Sequence, residues 1–175
     1  GRTGTCAWFD LPLVTASEED FVTVASPLDD VAPKQPLQGM CVLLAEDNAV
    51  NRLIVGTMLV RLGADVIEAT NGSEAIERAS RAPDDVHAIL MDLHMPEVDG
   101  LEATRRLRAQ PATAHLPIIA LTAAVLDAER AQAHAAGMNG FVSKPAGEGE
   151  LLRALWAYVP GVEGPASAFM RFDLD

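Results

Sequence analysis

With 175 residues, 49% of them hydrophobic, the chain has the length for one domain plus tails and enough apolar side chains for a real core. A net charge of −12 argues against a nucleic-acid surface and suits a cation site. No apolar run approaches the roughly 20 residues that cross a bilayer, and Cys6 and Cys41 form no disulfide or metal pattern, so a reducing, cytoplasmic setting with no membrane contact by this segment is expected.

Residues 1–13, GRTGTCAWFDLPL, read as a Gly4-Thr5 turn followed by a short aromatic strand through Trp8 and Phe9 that Pro12 stops. Residues 14–38 carry Pro27, Pro33 and Pro36, and set Glu18, Glu19, Asp20, Asp29 and Asp30 against Lys34 alone. No helical or alternating pattern persists there, so a flexible acidic linker is expected.

From residue 39 to residue 160 short apolar runs alternate with amphipathic stretches. Strands are expected at 41–46, 65–69, 87–92, 117–121 and 140–143, and helices at 49–62, 73–82, 100–109, 126–136 and 147–158. Asn48 can cap the first helix and Gly63 can end it. Its inward face is expected to carry Leu53, Ile54, Thr57, Met58 and Leu62. The third helix should bury Leu101, Thr104 and Leu107, and the fifth Leu151, Leu152, Leu155 and Trp156. The fourth is rich in alanine and offers few large apolar residues. Five strand-helix units imply an α/β fold with a parallel sheet covered on both faces. Residues 161–175 are read as a C-terminal tail.

Four of the strands run into polar residues. Cys41–Ala45 leads to Glu46-Asp47-Asn48, Ala88–Met91 to Asp92, Pro117–Leu121 to Thr122, and Phe141–Ser143 to Lys144-Pro145. Parallel strands aim their carboxyl ends at one edge, where ligands of open α/β sheets bind. Glu46, Asp47 and Asp92 would meet there and repel one another. A hard dication, Mg²⁺ or Mn²⁺, with a phosphoryl ligand would remove that conflict. Taken singly, each of these residues could equally be a cap or turn residue. The set of five, in this order, points to a site.

The pieces LLAEDNAVNR, ILMDLHMPEVDG, PIIALTA and FVSKP resemble the receiver domain of two-component signalling, in the flavour fused to hybrid sensor histidine kinases. The resemblance implies a flavodoxin-like (βα)5 sandwich with sheet order 2-1-3-4-5. It implies Asp92 as phosphoacceptor from a phosphohistidine. Asp47 and Asp92 would contact the metal, Glu46 one of its waters, and the His94 backbone carbonyl would complete the set. Lys144 and the Thr122 hydroxyl would bind phosphoryl oxygens. Thr122 and Phe141 would form the switch, with Ala124 and His94 flanking the site, and Lys144-Pro145 would be cis. Gly4-Thr5, Trp8-Phe9 and Leu11-Pro12-Leu13 likewise resemble the last strand of a histidine-kinase ATP-binding domain. The implied partners are a kinase domain in the same parent chain and a histidine phosphotransfer protein. This segment would not be an enzyme beyond promoting its own phosphorylation and dephosphorylation. One rival is a docking module that gates its own kinase. Another is a phosphatase with an Asp nucleophile, which would want a second acid where His94 stands.

Overall fold

A computed structural model of the protein describes residues 35–123 and 127–159. The aromatic strand expected at 1–13, most of the acidic linker, Ala124 and the tail from residue 160 lie outside the described residues. The alternation of runs resolves into β1 (Cys41–Ala45), α1 (Ala49–Arg61), β2 (Asp65–Ala69), α2 (Gly72–Arg81), β3 (Ala88–Asp92), α3 (Gly100–Ala109), β4 (Ile118–Thr122), α4 (Asp127–Ala136), β5 (Gly140–Ser143) and α5 (Glu148–Tyr158). The strands form one parallel sheet in the order β2-β1-β3-β4-β5. The chain therefore has the flavodoxin-like arrangement.

Strand side chains alternate between faces, and two separate cores result. Leu43, Ala45, Ile89, Met91, Ile118 and Ala120 join Ala75 and Ala79 of α2, Ala103 and Leu107 of α3, and Ala133 of α4. Val42, Leu44, Leu90, Ile119, Leu121 and Val142 join Val55 and Leu59 of α1 and Leu151 and Leu155 of α5. The central strands β3 and β4 are buried along their whole length, as near-continuous apolar runs in a two-faced sheet must be.

Helix α1 buries only part of the face its sequence suggests: Leu62 is buried and Met58 partly so, but Leu53, Ile54 and Thr57 are exposed. Val55, Gly56, Leu59 and Leu62 are buried, whereas Val50, Leu53, Ile54 and Val60 stand 47–68% exposed. Its sequence, AVNRLIVGTMLVR, is apolar nearly all round, so periodicity alone cannot choose an inward stripe. One local feature, the cap, helps to choose it. The Asn48 side chain accepts from the N–H groups of Val50 and Asn51 and fixes the phase of the first turn. Gly56 lies on the buried side, where a Cβ would make ordinary van der Waals contact, 3.4 Å from Glu68 Oε1 and 3.8 Å from Leu44 Cδ2. In α5, Leu151 and Leu155 are fully buried, but Leu152 and Trp156 only partly so.

The folded core also begins earlier than residue 39. Leu37 is buried, and its N–H donates to the Leu62 carbonyl at 2.8 Å, closing the end of α1. The end of the expected linker is therefore part of the fold.

The turn after β2 is held by a reciprocal cap. Asn71 accepts from the Glu74 N–H, and the Glu74 carboxylate accepts from the Thr70 N–H and hydroxyl. The Arg78 hydrogen bond, followed by those of Thr70, lowers the Glu74 pKa from 4.5 to about 2. A depressed carboxylate pKa stabilises the fold above its unfolded value, and that contribution is lost as pH falls through the folded value. Glu74→Gln keeps an acceptor for Thr70 but loses the charge beside Arg78, and should cost about 0.5 kcal/mol at neutral pH, the scale of a solvent-screened pair. In urea titrations the gap between the two proteins should narrow below pH 4.5 and vanish near pH 2.

Candidate functional site

The register of the sheet brings the sequence-predicted residues to one edge. Ala45 pairs with Met91, Asp92 with Leu121, and Thr122 with Ser143, so Glu46, Asp92, Thr122 and Lys144 follow or end neighbouring strands. Glu46, Asp92 and Thr122 are all buried, and Asp47 is exposed at the rim. One carboxylate oxygen from each of Glu46, Asp47 and Asp92 lies within 4.8 Å of the others. The Lys144 ammonium sits 2.6 Å from Glu46 Oε2 and 2.8 Å from Asp92 Oδ2. Burial alone would lower the Lys144 pKa. The hydrogen bonds and charges of Asp92 and Glu46 outweigh that and raise it.

Two residues that the sequence reading did not single out hold the acidic loop in place. Asn51 donates from its amide to Glu46 Oε1 at 3.1 Å. Arg52 donates to the carbonyls of Glu46 (2.8 Å) and Asp47 (3.3 Å) and reaches Glu68 at 3.2 Å. Both lie within the EDNAVNR segment, one turn into α1, where side chains point back toward the helix N-terminus. That direction was the signal available in the sequence.

The floor of the site depends on a close approach. Gly100 begins α3 directly over the end of β3, and a Cβ there would meet the Asp92 carbonyl oxygen at 2.1 Å. Gly72 allows a similar approach, since a Cβ there would lie 2.3 Å from the Val98 carbonyl oxygen. The Asp92 carboxylate faces the cleft, with Oδ1 accepting from the His94 N–H at 3.1 Å. His94 itself is exposed, so its imidazole is no part of the cluster. The Lys144-Pro145 peptide is cis.

The remaining two sequence-predicted residues face α4. The Thr122 hydroxyl donates to Glu129 Oε2 at 3.0 Å. Phe141, partly buried on β5, has the Arg130 guanidinium 3.9 Å from its ring centroid.

Three carboxylates with one ammonium leave an excess of negative charge among oxygen donors only. Such a donor set fits a hard dication and excludes a structural zinc site of the Cys/His kind. A doubly wound sheet with acids at its switch point and a lysine just beyond the fifth strand defines a receiver. The chain belongs to the response regulator receiver domain family, whose model matches residues 42–156. It is 36% identical over 146 residues to the peroxide stress-activated histidine kinase mak3 of Schizosaccharomyces pombe, covering 81% of this chain and 6% of that protein. Among solved structures, it resembles the receiver domain of the sensor histidine kinase PA1611 from Pseudomonas aeruginosa (42% identity, TM-score 0.64, 69% of this chain and 97% of that one), which has a magnesium ion coordinated in its active-site cleft. It also resembles the Saccharomyces cerevisiae co-crystal of the phosphotransfer protein Ypd1 with the receiver domain of its downstream response regulator Ssk1 (28% identity, TM-score 0.62, 69% and 88%).

The excess charge has a measurable consequence. Asp47→Asn removes one of three mutually repelling carboxylates at the exposed rim, where no close cation is lost. With divalent metal chelated, it should raise stability by about 1 kcal/mol, the scale of a screened surface charge interaction. Urea unfolding in chelator reads this directly.

Proposed function

We propose that Asp92 accepts a phosphoryl group from a phosphohistidine. The observation that carries this reading is the Lys144 ammonium bridging Glu46 and Asp92 at the carboxyl edge of the sheet. A carboxylate oxygen of Asp92 attacks phosphorus, the P–N bond breaks with its electron pair remaining on the imidazole nitrogen, and an acyl phosphate forms. Lys144 is placed to accompany the phosphoryl oxygens, and the Thr122 hydroxyl can donate to one of them. Mg²⁺ or Mn²⁺ would be held by Asp47, Asp92 and the His94 carbonyl, with Glu46 on a bound water, and would neutralise phosphoryl oxygens. The transition state is loose, so positioning and charge compensation supply most of the acceleration. Thr122 and Phe141 form the switch in this reading.

The segment then works as a relay element of a cytoplasmic signalling kinase rather than as an enzyme in its own right. The kinase relatives are far longer than the match, with 6% of mak3 covered, and we assign this chain to a hybrid histidine kinase parent. No helix among the described residues is long and apolar enough to cross a membrane. The decisive experiment is a Mg²⁺ titration followed by beryllofluoride, watching amide signals of residues 46–48, 92–94 and 122–123. Both steps should shift them in the wild type, and Asp92→Asn should abolish acceptance from a small phosphodonor. Unshifted signals at tens of millimolar Mg²⁺, an order of magnitude set by weak oxygen sites, would overturn the reading.

The partner in this reading is a histidine phosphotransfer protein. It must present its imidazole at the edge where Glu46 and Asp47 lead straight into α1. The outward face of that helix carries Val50, Leu53, Ile54 and Val60 in contact with solvent, an apolar strip next to the acceptor and of the kind that marks a protein interface. Docking there would also serve a receiver that gates its own kinase. Leu53→Ser should slow transfer from a phosphorylated phosphotransfer protein about tenfold, the scale of one apolar anchor. Acetyl phosphate, too small to touch α1, should phosphorylate both proteins equally fast.

A further inference from the structure

Helix α4 is the least anchored of the five. Among its described residues only Ala133 and Ala136 are buried, and no large apolar side chain fixes it to the sheet. What its first turns do have is polar. Glu129 accepts the Thr122 hydroxyl proton at the end of β4, and the next residue, Arg130, covers the Phe141 ring on β5. Two consecutive α4 side chains thus engage two consecutive strands beside the acceptor.

A hydroxyl has one proton to donate. While Thr122 gives it to Glu129, no phosphoryl oxygen on Asp92 can receive it. Glu129 is itself a carboxylate within hydrogen-bond reach of the hydroxyl that the phosphoryl oxygens would recruit. The two anionic acceptors therefore compete for one donor and repel one another across it. We propose that Glu129 is a positioning residue acting through Thr122. It holds the hydroxyl away from the acceptor in the unphosphorylated protein and is displaced when Asp92 is phosphorylated. This rests on Asp92 being the phosphoacceptor. Its consequence is that each phosphorylation event removes the Glu129 tether of α4, while Arg130 and Phe141 respond as its neighbours. A ligand shifts such an equilibrium only by binding the two states unequally. The single hydroxyl proton, bonded to Glu129 in one state and to the phosphoryl group in the other, provides that inequality.

The test is a double-mutant cycle read as beryllofluoride affinity in the presence of Mg²⁺, on the full chain. Glu129→Ala should tighten binding about tenfold, within the usual span of coupling between sites. Glu129→Gln, which keeps an acceptor oxygen but loses the charge, should fall between it and the wild type. In a Thr122→Ala background, where no hydroxyl is contested, Glu129→Ala should change nothing. If Glu129→Ala lowered thermal stability and left affinity unchanged, Glu129 would merely cap α4 and the proposal would be wrong. An equal effect in both backgrounds would also overturn it, because the residue would then act by long-range charge alone. A wild type that failed to bind beryllofluoride would overturn the phosphoacceptor reading as well, an outcome separable from the other two.

Discussion

Buried negative charge at the carboxyl edge of the sheet is the constraint around which this domain is built. Glu46 and Asp92 leave water together, and desolvated carboxylates a few ångströms apart are tolerable only with a cation between them. Lys144 is such a cation, reaching from the loop after β5 to both acids. Everything near the edge follows from keeping these groups in register. Arg52 and Asn51 hold the acidic loop from α1, Gly72 and Gly100 let two helices close on the loop after β3, and the parallel pairing fixes which strand ends are neighbours. One lysine does not balance three acids, so the site remains poised for a further positive charge.

Most of this was legible in the sequence because strand ends are marked by abrupt changes in chemistry. An apolar run that stops at Asp92, Thr122 or Lys144 locates both the strand and the group it delivers. The order of the strands followed from the β-α alternation and the family resemblance together. What could not be read were choices among equivalent apolar residues. Helix α1 offers hydrophobic side chains in almost every direction, so the buried stripe through Val55, Leu59 and Leu62 is set by the cap at Asn48 and by packing rather than by periodicity. The reach of the core back to Leu37 was hidden for a related reason, since a single leucine among prolines and glutamines carries no periodicity. Glu129 and Arg130 were invisible because their partners are seven and eleven residues away, across a change of element. A surface helix shows its charged residues without showing which of them turn inward.

The helices are held to the sheet unequally. The α1 and α5 side is held by leucine and valine, while α4 on the other side is held by alanine and by polar bonds to Thr122 and Phe141. Apolar burial scales with area, so a helix anchored by two alanines is the cheaper one to shift. Polar anchors add a property that apolar ones lack. They can be removed by a competing charge without opening a cavity, so the helix can respond to chemistry at the site while the core stays closed.

Leu37 and Val159, near the two ends of the described fold, both belong to the core on the α1 and α5 side. Whatever is joined to the domain before the one or beyond the other is moored to the stiff layer. A load carried along the backbone through Leu37 or Val159 would enter the fold by that layer, across the sheet from α4.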